Sequence, residues 1–499
     1  MEKYDDIVVG SGISGMTMAL ILGMNGRKVL LLEKNPRIGG AVARFYKKGI
    51  PFDTGFHFTG GLQKGGILYE LLTALGIRDL IQPAFLSGDH AICCIFETEN
   101  RQYKIPYGIG NVKKKLKEYF TGEASAIDGY FDKVEHVCAQ TPSMNLRTLT
   151  TRHQSLEEDF ISLDEMLGRL TRNPLLKAVL SGFATCYGVK PEEISFADHS
   201  RICLGFFESI AHVKGGGGAF VKAFETKFRD FDINIRCNDF IVDLAGIHDK
   251  KVGSFILSSG EEISSDNCIF TIHPREILSI LPEKHLSRAF INRVNLFESS
   301  IGFFSVFAVL ESGFEEPDFD DTIFSILPGC DLNQLLDPAY TGTPALLLIK
   351  SVEQVGGENR KTIVALEPSF PEHVKAWKDS QTGMRPQEYQ DYKKTRVDAV
   401  LKRIFRLFPE YKNSLRVLDS ASVLTFRDYL NNYDGSAYGI KQKLNQFNVI
   451  GQLPLRNLYA AGQSSLLPGL LGAMLSSFIV AGSILDEDTY NKFLLKNLC

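Results

Sequence analysis

Asp6-Ile7-Val8-Val9-Gly10-Ser11-Gly12-Ile13-Ser14-Gly15, continued by Met16 to Leu22 and by Lys28-Val29-Leu30-Leu31-Leu32-Glu33, is the stretch that decides the fold. Asp6 to Val9 is a short, largely β-branched apolar run and reads as a buried strand. Met16 to Leu22 carries an apolar helical face, and Val29 to Leu32 is a second buried strand that ends on an acid. The order is strand, G-x-G-x-x-G, helix, strand, acid. Each glycine has its own reason. Gly10 allows the tight turn, Gly12 lets the backbone approach a pyrophosphate, and Gly15 lets helix and strand pack closely. The helix N-terminus presents free N–H groups to the phosphates around Ser11, Ile13 and Ser14. Glu33 accepts hydrogen bonds from both hydroxyls of an adenosine ribose and repels a 2′-phosphate. The expected ligand is an unphosphorylated adenine dinucleotide, FAD or NAD.

The residues after Glu33 and Lys34 separate the two. Arg37-Ile38-Gly39-Gly40 is followed by Gly49-Ile50-Pro51-Phe52-Asp53-Thr54-Gly55-Phe56-His57. Glycines recur here, where a second backbone approach to a bulky ligand is needed. A simple NAD dehydrogenase would run on into helix and strand, so the reading is FAD. No second unit of this kind exists: Gly108-Ile109-Gly110 lacks the third glycine and a preceding β-branched strand. The chain therefore has no dedicated NAD(P)H domain. NAD(P)H is left as a transient electron donor docking at the flavin, beside a separate protein or a quinone.

Composition bounds the rest. At 499 residues the chain is too long for one ordinary domain and suggests roughly two or three. The balance of 55 basic against 59 acidic residues, net −4, argues against a nucleic-acid binder, which needs clustered basic surface. Nine cysteines are scattered without a C-x-x-C or a Cys/His set at ligand spacing, so no metal is expected. Reduced, mostly buried thiols in a cytoplasmic protein fit best, and the charged start Met1 to Asp6 is not a secretory signal. Asn457 to Leu485 carries no charge and has the length of a bilayer span. Gly462, Pro468-Gly469 and Gly472 interrupt it, and Gln463, Ser464 and Ser465 are polar. It reads as a buried strand, a glycine-rich turn and a buried helix. Membrane contact is expected to be peripheral at most. Lys113-Lys114-Lys115 with Lys117 could meet anionic headgroups, although a solvated helix face is the commoner meaning of such a run. The 35 phenylalanines against one tryptophan suit either ordinary core filling or an apolar ligand channel.

With these residues in view, the chain resembles the phytoene desaturase, carotenoid isomerase and retinol saturase (all-trans-retinol 13,14-reductase) superfamily of FAD-dependent oxidoreductases over nearly its whole length. Arg37-x-Gly39-Gly40 is similar to the family's flavin-proximal doublet. Ala41 stands where many relatives place arginine, and the basic residue here is Arg44. Phe52-Asp53-Thr54-Gly55-Phe56-His57 is most similar to the saturase branch. Gly215 to Gly218 resembles the family's helix start, and Ile233 to Val242 resembles the strand that returns to the FAD domain. The resemblance implies that a main-chain amide near Ile241 or Val242 reads the adenine. Thr425 to Tyr429 and Gly435-Ser436-Ala437-Tyr438-Gly439 resemble a segment near the flavin ring. Gly462-Gln463 and Gly469-Leu470-Leu471-Gly472-Ala473 again resemble the saturases, with Gln463 where most of the class carry an acid. The helix from Gly469 would aim its N–H groups at the flavin.

The resemblance implies an α/β fold: a Rossmann-type FAD-binding domain, glutathione-reductase-like, with an inserted α+β substrate domain. The FAD domain is expected over residues 1–70, 210–280 and 415–499, and the substrate domain over 71–209 and 281–414. A strand is expected at 301–309, and helices at 67–75 and over the Val397, Val400, Leu401, Ile404, Leu407 and Phe408 face. Cys203 to Phe207 reads equally as helix core or as tunnel wall. The implied activity is on C=C bonds of an apolar isoprenoid or polyene, as saturase or isomerase using reduced flavin. A desaturase-type dehydrogenase, an amine-oxidase-type flavoenzyme and a non-catalytic FAD-containing prenyl-binding protein are the alternatives. Reducing a C=C bond needs a proton at the neighbouring carbon. Asp53, His57 and Tyr438 are the motif-linked candidates, and an unperturbed histidine would suit proton transfer near neutral pH. His57 also serves, on this reading, as a hydrogen-bond partner of the flavin.

Overall fold

A computed structural model describes residues 1–146 and 155–498 of the chain. Glu2–Val9 is the central strand of the first sheet. Val8 faces one hydrophobic cluster, and Ile7 and Val9 face another, which is what a parallel strand covered on both faces requires. The parallel order is Asn234–Cys237, Val29–Glu33, Glu2–Val9, Glu262–Phe270 and Leu458–Ala460. These strands come from three distant parts of the chain, so the domain is discontinuous. Glu262–Phe270 also pairs antiparallel with Ser254–Leu257, which pairs with Ile241–Ala245. This is a Rossmann-type α/β domain.

The strand expected over 233–242 is in fact two, Asn234–Cys237 and Ile241–Ala245. Asn238 between them adopts φ +59°. The Asn238 and Asp239 N–H groups donate to the carbonyls of Asn35 and Glu33, both at 3.1 Å. These bonds bend the chain across the end of the second strand. The uncharged C-terminal stretch forms the strand Leu458–Ala460, a turn, and the helix Gly469–Ile484, packed on the helix Ile13–Met24. Among the described residues no helix is long and apolar enough to cross a membrane.

The inserted domain is built on a seven-stranded sheet ordered Leu415–Ala421, Gly302–Leu310, Glu358–Ser369, Leu346–Val355, Ile323–Leu327, Ile92–Phe96, Arg101–Ile105. Its pairings are antiparallel except for Ile323–Leu327 beside Ile92–Phe96. The helix Gln387–Leu407 covers one face through Val400 and Ile404. The helices Ala124–Ala139 and Phe196–Glu208 cover the other with a phenylalanine-rich core. Three expected domain limits move for packing reasons. The helix Ile67–Ala74 spans the limit at 70 and buries Leu71 and Leu72 with the glycine-turn helix. Residues 274–297 pack beneath the first sheet through Ile277, Phe290 and Val294. Leu415–Ala421 is an edge strand of the second sheet.

Lys113 pairs with Asp128 and Asp132, Lys117 with Asp128, and Lys115 with Glu118. Most of that basic run is neutralised on its own helix pair. The eight described cysteines are free; Cys499 lies outside the described residues.

His199 sits fully buried in the phenylalanine-rich core, with Nε2 2.6 Å from the Tyr130 hydroxyl and Nδ1 2.9 Å from that of Tyr187. Burial pushes its imidazole down to about 3. Because the folded value lies below the unfolded one, the unfolded chain takes up the proton first. The stability His199 contributes is complete above pH 6.5 and is lost as pH falls towards 3, at about 1.4 kcal/mol per pH unit. The thermal midpoint is expected to fall between pH 6.5 and 4.5, with a shallower fall for His199→Gln. Identical slopes for the two proteins would show that this histidine does not set the acid limit.

Candidate flavin and substrate cleft

The glycine turn is shaped by close approach. Gly10 has φ +94°, and a Cβ on Gly15 would lie 1.8 Å from the Gly10 carbonyl oxygen, so the helix rests directly on the turn. A Cβ on Gly12 would meet nothing within 4 Å; that face opens into a cleft. Gly39 N–H donates to the Ser11 carbonyl at 3.0 Å, and a Cβ on Gly40 would lie 3.1 Å from Gly12 Cα. The doublet is thus stacked on the turn. Glu33, 7% exposed, accepts from the Ser11 main-chain N–H (2.9 Å), the Ser11 hydroxyl and the Asn35 N–H (2.8 Å).

The helices Ile13–Met24, Gly217–Asp230 and Gly469–Ile484 each lack a cap from their own N-cap side chain. Asp53 caps the helix Gly217–Asp230, accepting from Gly217 N–H at 2.7 Å. The other two, at Gly12-Ile13-Ser14 and at Pro468-Gly469-Leu470, line one cleft and carry no acid in their first turns. Open N–H donors at two converging helix ends fit a diphosphate at one and flavin carbonyl oxygens at the other. The residues present therefore suit a flavin dinucleotide.

Ser476, Ser477 and Thr271, which pattern reading did not select, brace this region. Ser14 and Ser477 hydroxyls are 2.7 Å apart, and Ser477 Oγ donates to the Ser14 carbonyl at 2.9 Å. Gly462 N–H donates to Ser476 Oγ at 2.7 Å. Thr271 Oγ1 lies 2.9 Å from the Val9 carbonyl oxygen and 3.0 Å from that of Gly10. The adjacent pair Ser476-Ser477 inside an apolar helix was the available signal. Nothing local marked Thr271.

Of the residues selected from sequence, Gly12, Ile13, Ser14, Ala41, Thr54, Gly55, His57, Tyr438, Gln463, Gly469, Leu470, Gly472 and Ala473 line this cleft. Gly10, Gly15 and Gly462 do not line it, and each packs against Thr271, which does. Lys34 and Arg37 are exposed outside it, with the Lys34 ammonium over the Phe240 ring. Ile241 is buried and Val242 half-exposed, on the strand that follows the Asn238 bend. Arg44 is a correction: its Nη2 donates to Glu353 at 2.5 Å and its Nε lies 3.1 Å from Asp53. Two carboxylates hold it away from the cleft. Burial pushes Asp53 up to about 7 even beside Arg44, and its oxygens are engaged in the helix cap and the ion pair.

His57 is the second correction. Burial pushes its imidazole down to about 4, so at neutral pH it is uncharged and has no imidazolium proton to give. Its carbonyl accepts from His212 Nδ1–H at 2.8 Å; His212 is a neighbour that sequence pattern did not reveal. Burial pushes the Tyr438 phenol well above its usual value, which keeps its proton in place. Tyr438 is held by its own N–H on Ser300 Oγ at 3.0 Å and by edge contact with Phe303. Gln463 ties down the same turn: its Nε2 donates to the Ala437 carbonyl at 3.4 Å, and its carbonyl accepts from Gln442 Nε2 at 3.1 Å. Among the described residues neither the His57 ring nor the Tyr438 hydroxyl has a protein hydrogen-bond partner. Both are free to meet a ligand.

Beyond Tyr438 the cleft continues into the inserted domain, along Cys186, Ile202, Phe206, Phe303, Leu347, Leu366 and Phe426. Cys203 and Phe207 are buried in helix core while Phe206 faces the cleft, so both readings of that segment hold in part. Among the described residues no aspartate, glutamate, lysine or arginine lines the cleft.

Residues 8–75 match the family model of NAD(P)-binding Rossmann-like domains. All-trans-retinol 13,14-reductase of Rattus norvegicus is 25% identical, over 98% of this chain and 87% of that protein. The chloroplastic prolycopene isomerase of Daucus carota is 22% identical, over 93% of this chain and 77% of that protein. Putrescine oxidase, solved with putrescine bound, shares the fold at a TM-score of 0.64 and 14% identity, covering 97% of this chain and 98% of that one.

Proposed function

From the premise that the chain belongs to the phytoene desaturase, carotenoid isomerase and retinol saturase superfamily of FAD-dependent oxidoreductases, we propose that it acts on C=C bonds of an apolar isoprenoid or polyene, as saturase or isomerase with reduced flavin. The observation that carries this is a cleft that starts at two open helix N-termini and runs into an aliphatic and aromatic wall, with no acidic or basic side chain lining it among the described residues. None of those residues offers a carboxylate to a protonated amine, which favours the polyene reading over the amine-oxidase alternative. FAD bound in the cleft supplies two-electron chemistry with a substrate carbon. The rest falls to the chain. Glu33 and the Gly10–Gly15 turn hold the adenosine diphosphate portion. The helix from Gly469 orients the ring end, and Phe206, Phe303 and Leu347 exclude water around the substrate. Tyr438 holds a proton at its hydroxyl beside that wall, and neutral His57 offers a hydrogen bond. Electrons reach the flavin from a transient donor, for which NAD(P)H is one choice.

The test is an anaerobic single-turnover assay of oxidised and pre-reduced protein against polyenes of several lengths. Turnover only by the pre-reduced form is expected, giving a shorter chromophore or a changed double-bond geometry. Turnover by the oxidised form, with a longer chromophore, would make the protein a desaturase instead. Binding without turnover in either state would leave it a carrier.

A further inference from the structure

We propose that a second cavity, opening from the side of the cleft, seats the apolar terminus of the substrate and so sets which double bond lies near Tyr438. The inference rests on the reading that the substrate is an apolar isoprenoid. The cavity shares Phe58, Cys186, Phe206 and Leu347 with the cleft, so the two are continuous. It runs between the inner face of the second sheet, at Ile92–Phe96 and Ile323–Leu327, and the helices Ile109–Tyr119 and Ala124–Ala139. Its volume is about 50 Å³, several times the space one water needs and suited to a methyl-branched chain end.

No charged side chain lines it among the described residues. The Thr185 hydroxyl is engaged, donating to the Gly182 carbonyl at 2.9 Å. The Cys94 and Cys186 thiols are uncharged, pushed up by burial to about 12 and about 11. The Ser325 hydroxyl alone opens on the space without a protein partner. Such a cavity stays dry and takes apolar groups. A chain anchored by its end is held in register, as a side chain filling a pocket fixes a ligand's orientation.

The experiment follows the flavin absorbance of the holoprotein during titration with linear isoprenoid alcohols of ten, fifteen and twenty carbons. In the wild type, affinity should rise stepwise at the length whose end reaches the cavity. Ser325→Leu and Val179→Phe, which fill it from two sides, should abolish that step and weaken the longer ligand tenfold or more. Binding of the shorter ligands and FAD content should be unchanged. Ser325→Ala, which leaves the space, should keep the step. Retention of the step in both filled variants, or equal weakening at every length, overturns the cavity's role while leaving the functional reading intact. A wild type that binds none of the alcohols overturns both.

Discussion

Protein carrying Glu33→Arg is expected to purify colourless, and the wild type is expected to purify yellow with one FAD, and not FMN, per chain. The Glu33 carboxylate holds the Ser11 N–H and hydroxyl and the Asn35 N–H and stands where an adenosine ribose would place its two hydroxyls. Hydrogen bonds to a charged acceptor are worth about 1.5–3 kcal/mol each. Losing the ribose pair alone costs about 3–6 kcal/mol, a drop in affinity of roughly 10²–10⁴-fold. The guanidinium also puts donors where donors already converge. The flavin-to-protein absorbance ratio after reconstitution with excess FAD measures the effect. Glu33→Gln should fall between the two proteins. Stoichiometric FAD in the arginine variant would mean that the turn at Gly10–Gly15 does not hold the adenosine end.

Tyr438→Phe is expected to slow single-turnover reduction of a polyene by roughly tenfold to 10²-fold, at or below the low end of what a positioned proton donor contributes, because burial makes this phenol a weak acid, with FAD content unchanged. His57→Ala should slow turnover less and also retain FAD. The pH dependence separates the two candidates. Burial raises the Tyr438 phenol and lowers His57 to about 4, so neither changes charge between about pH 5.5 and 9. Neither group should therefore put a step in the rate across that range, where Asp53, pushed up to about 7, is the candidate that titrates. An acid limb near pH 6.5 would point to an ordinary histidine as donor, and an undiminished rate in Tyr438→Phe would remove the tyrosine from the chemistry.

Of the candidate site, the shape of the glycine turn was legible and the surroundings of His57, Arg44 and Tyr438 were not. Gly10, Gly12 and Gly15 announce a backbone constraint wherever they occur at that spacing. Gly15 could carry no Cβ against the Gly10 carbonyl, and such a restriction is local enough to be written in six consecutive residues. Arg44 was misassigned because its fate depends on Glu353, about three hundred residues away on another sheet. The charge state of His57 was equally hidden, since it is set by burial among groups from several segments rather than by its neighbours in the chain. The pairing of Ser14 with Ser477 joins the two ends of the sequence, so neither end alone could display it.

By itself the sequence determined a parallel α/β sheet carrying a dinucleotide turn, which follows from period, glycine placement and strand composition acting over a few residues; that the chain returns to this sheet after two long insertions was implied only by the family resemblance. It also determined that the C-terminal uncharged run folds as strand, turn and helix, because glycine and proline break a span wherever it lies. Only the tertiary structure decided that two uncapped helix ends meet in one cleft while Asp53 caps the third. Only it decided that no acidic or basic side chain lines the cleft among the described residues, that Leu415–Ala421 joins the second sheet, and that an apolar side cavity opens beyond Cys186. Each of these depends on which distant surfaces exclude water from one another, and burial between segments far apart in the chain has no signature in either segment alone.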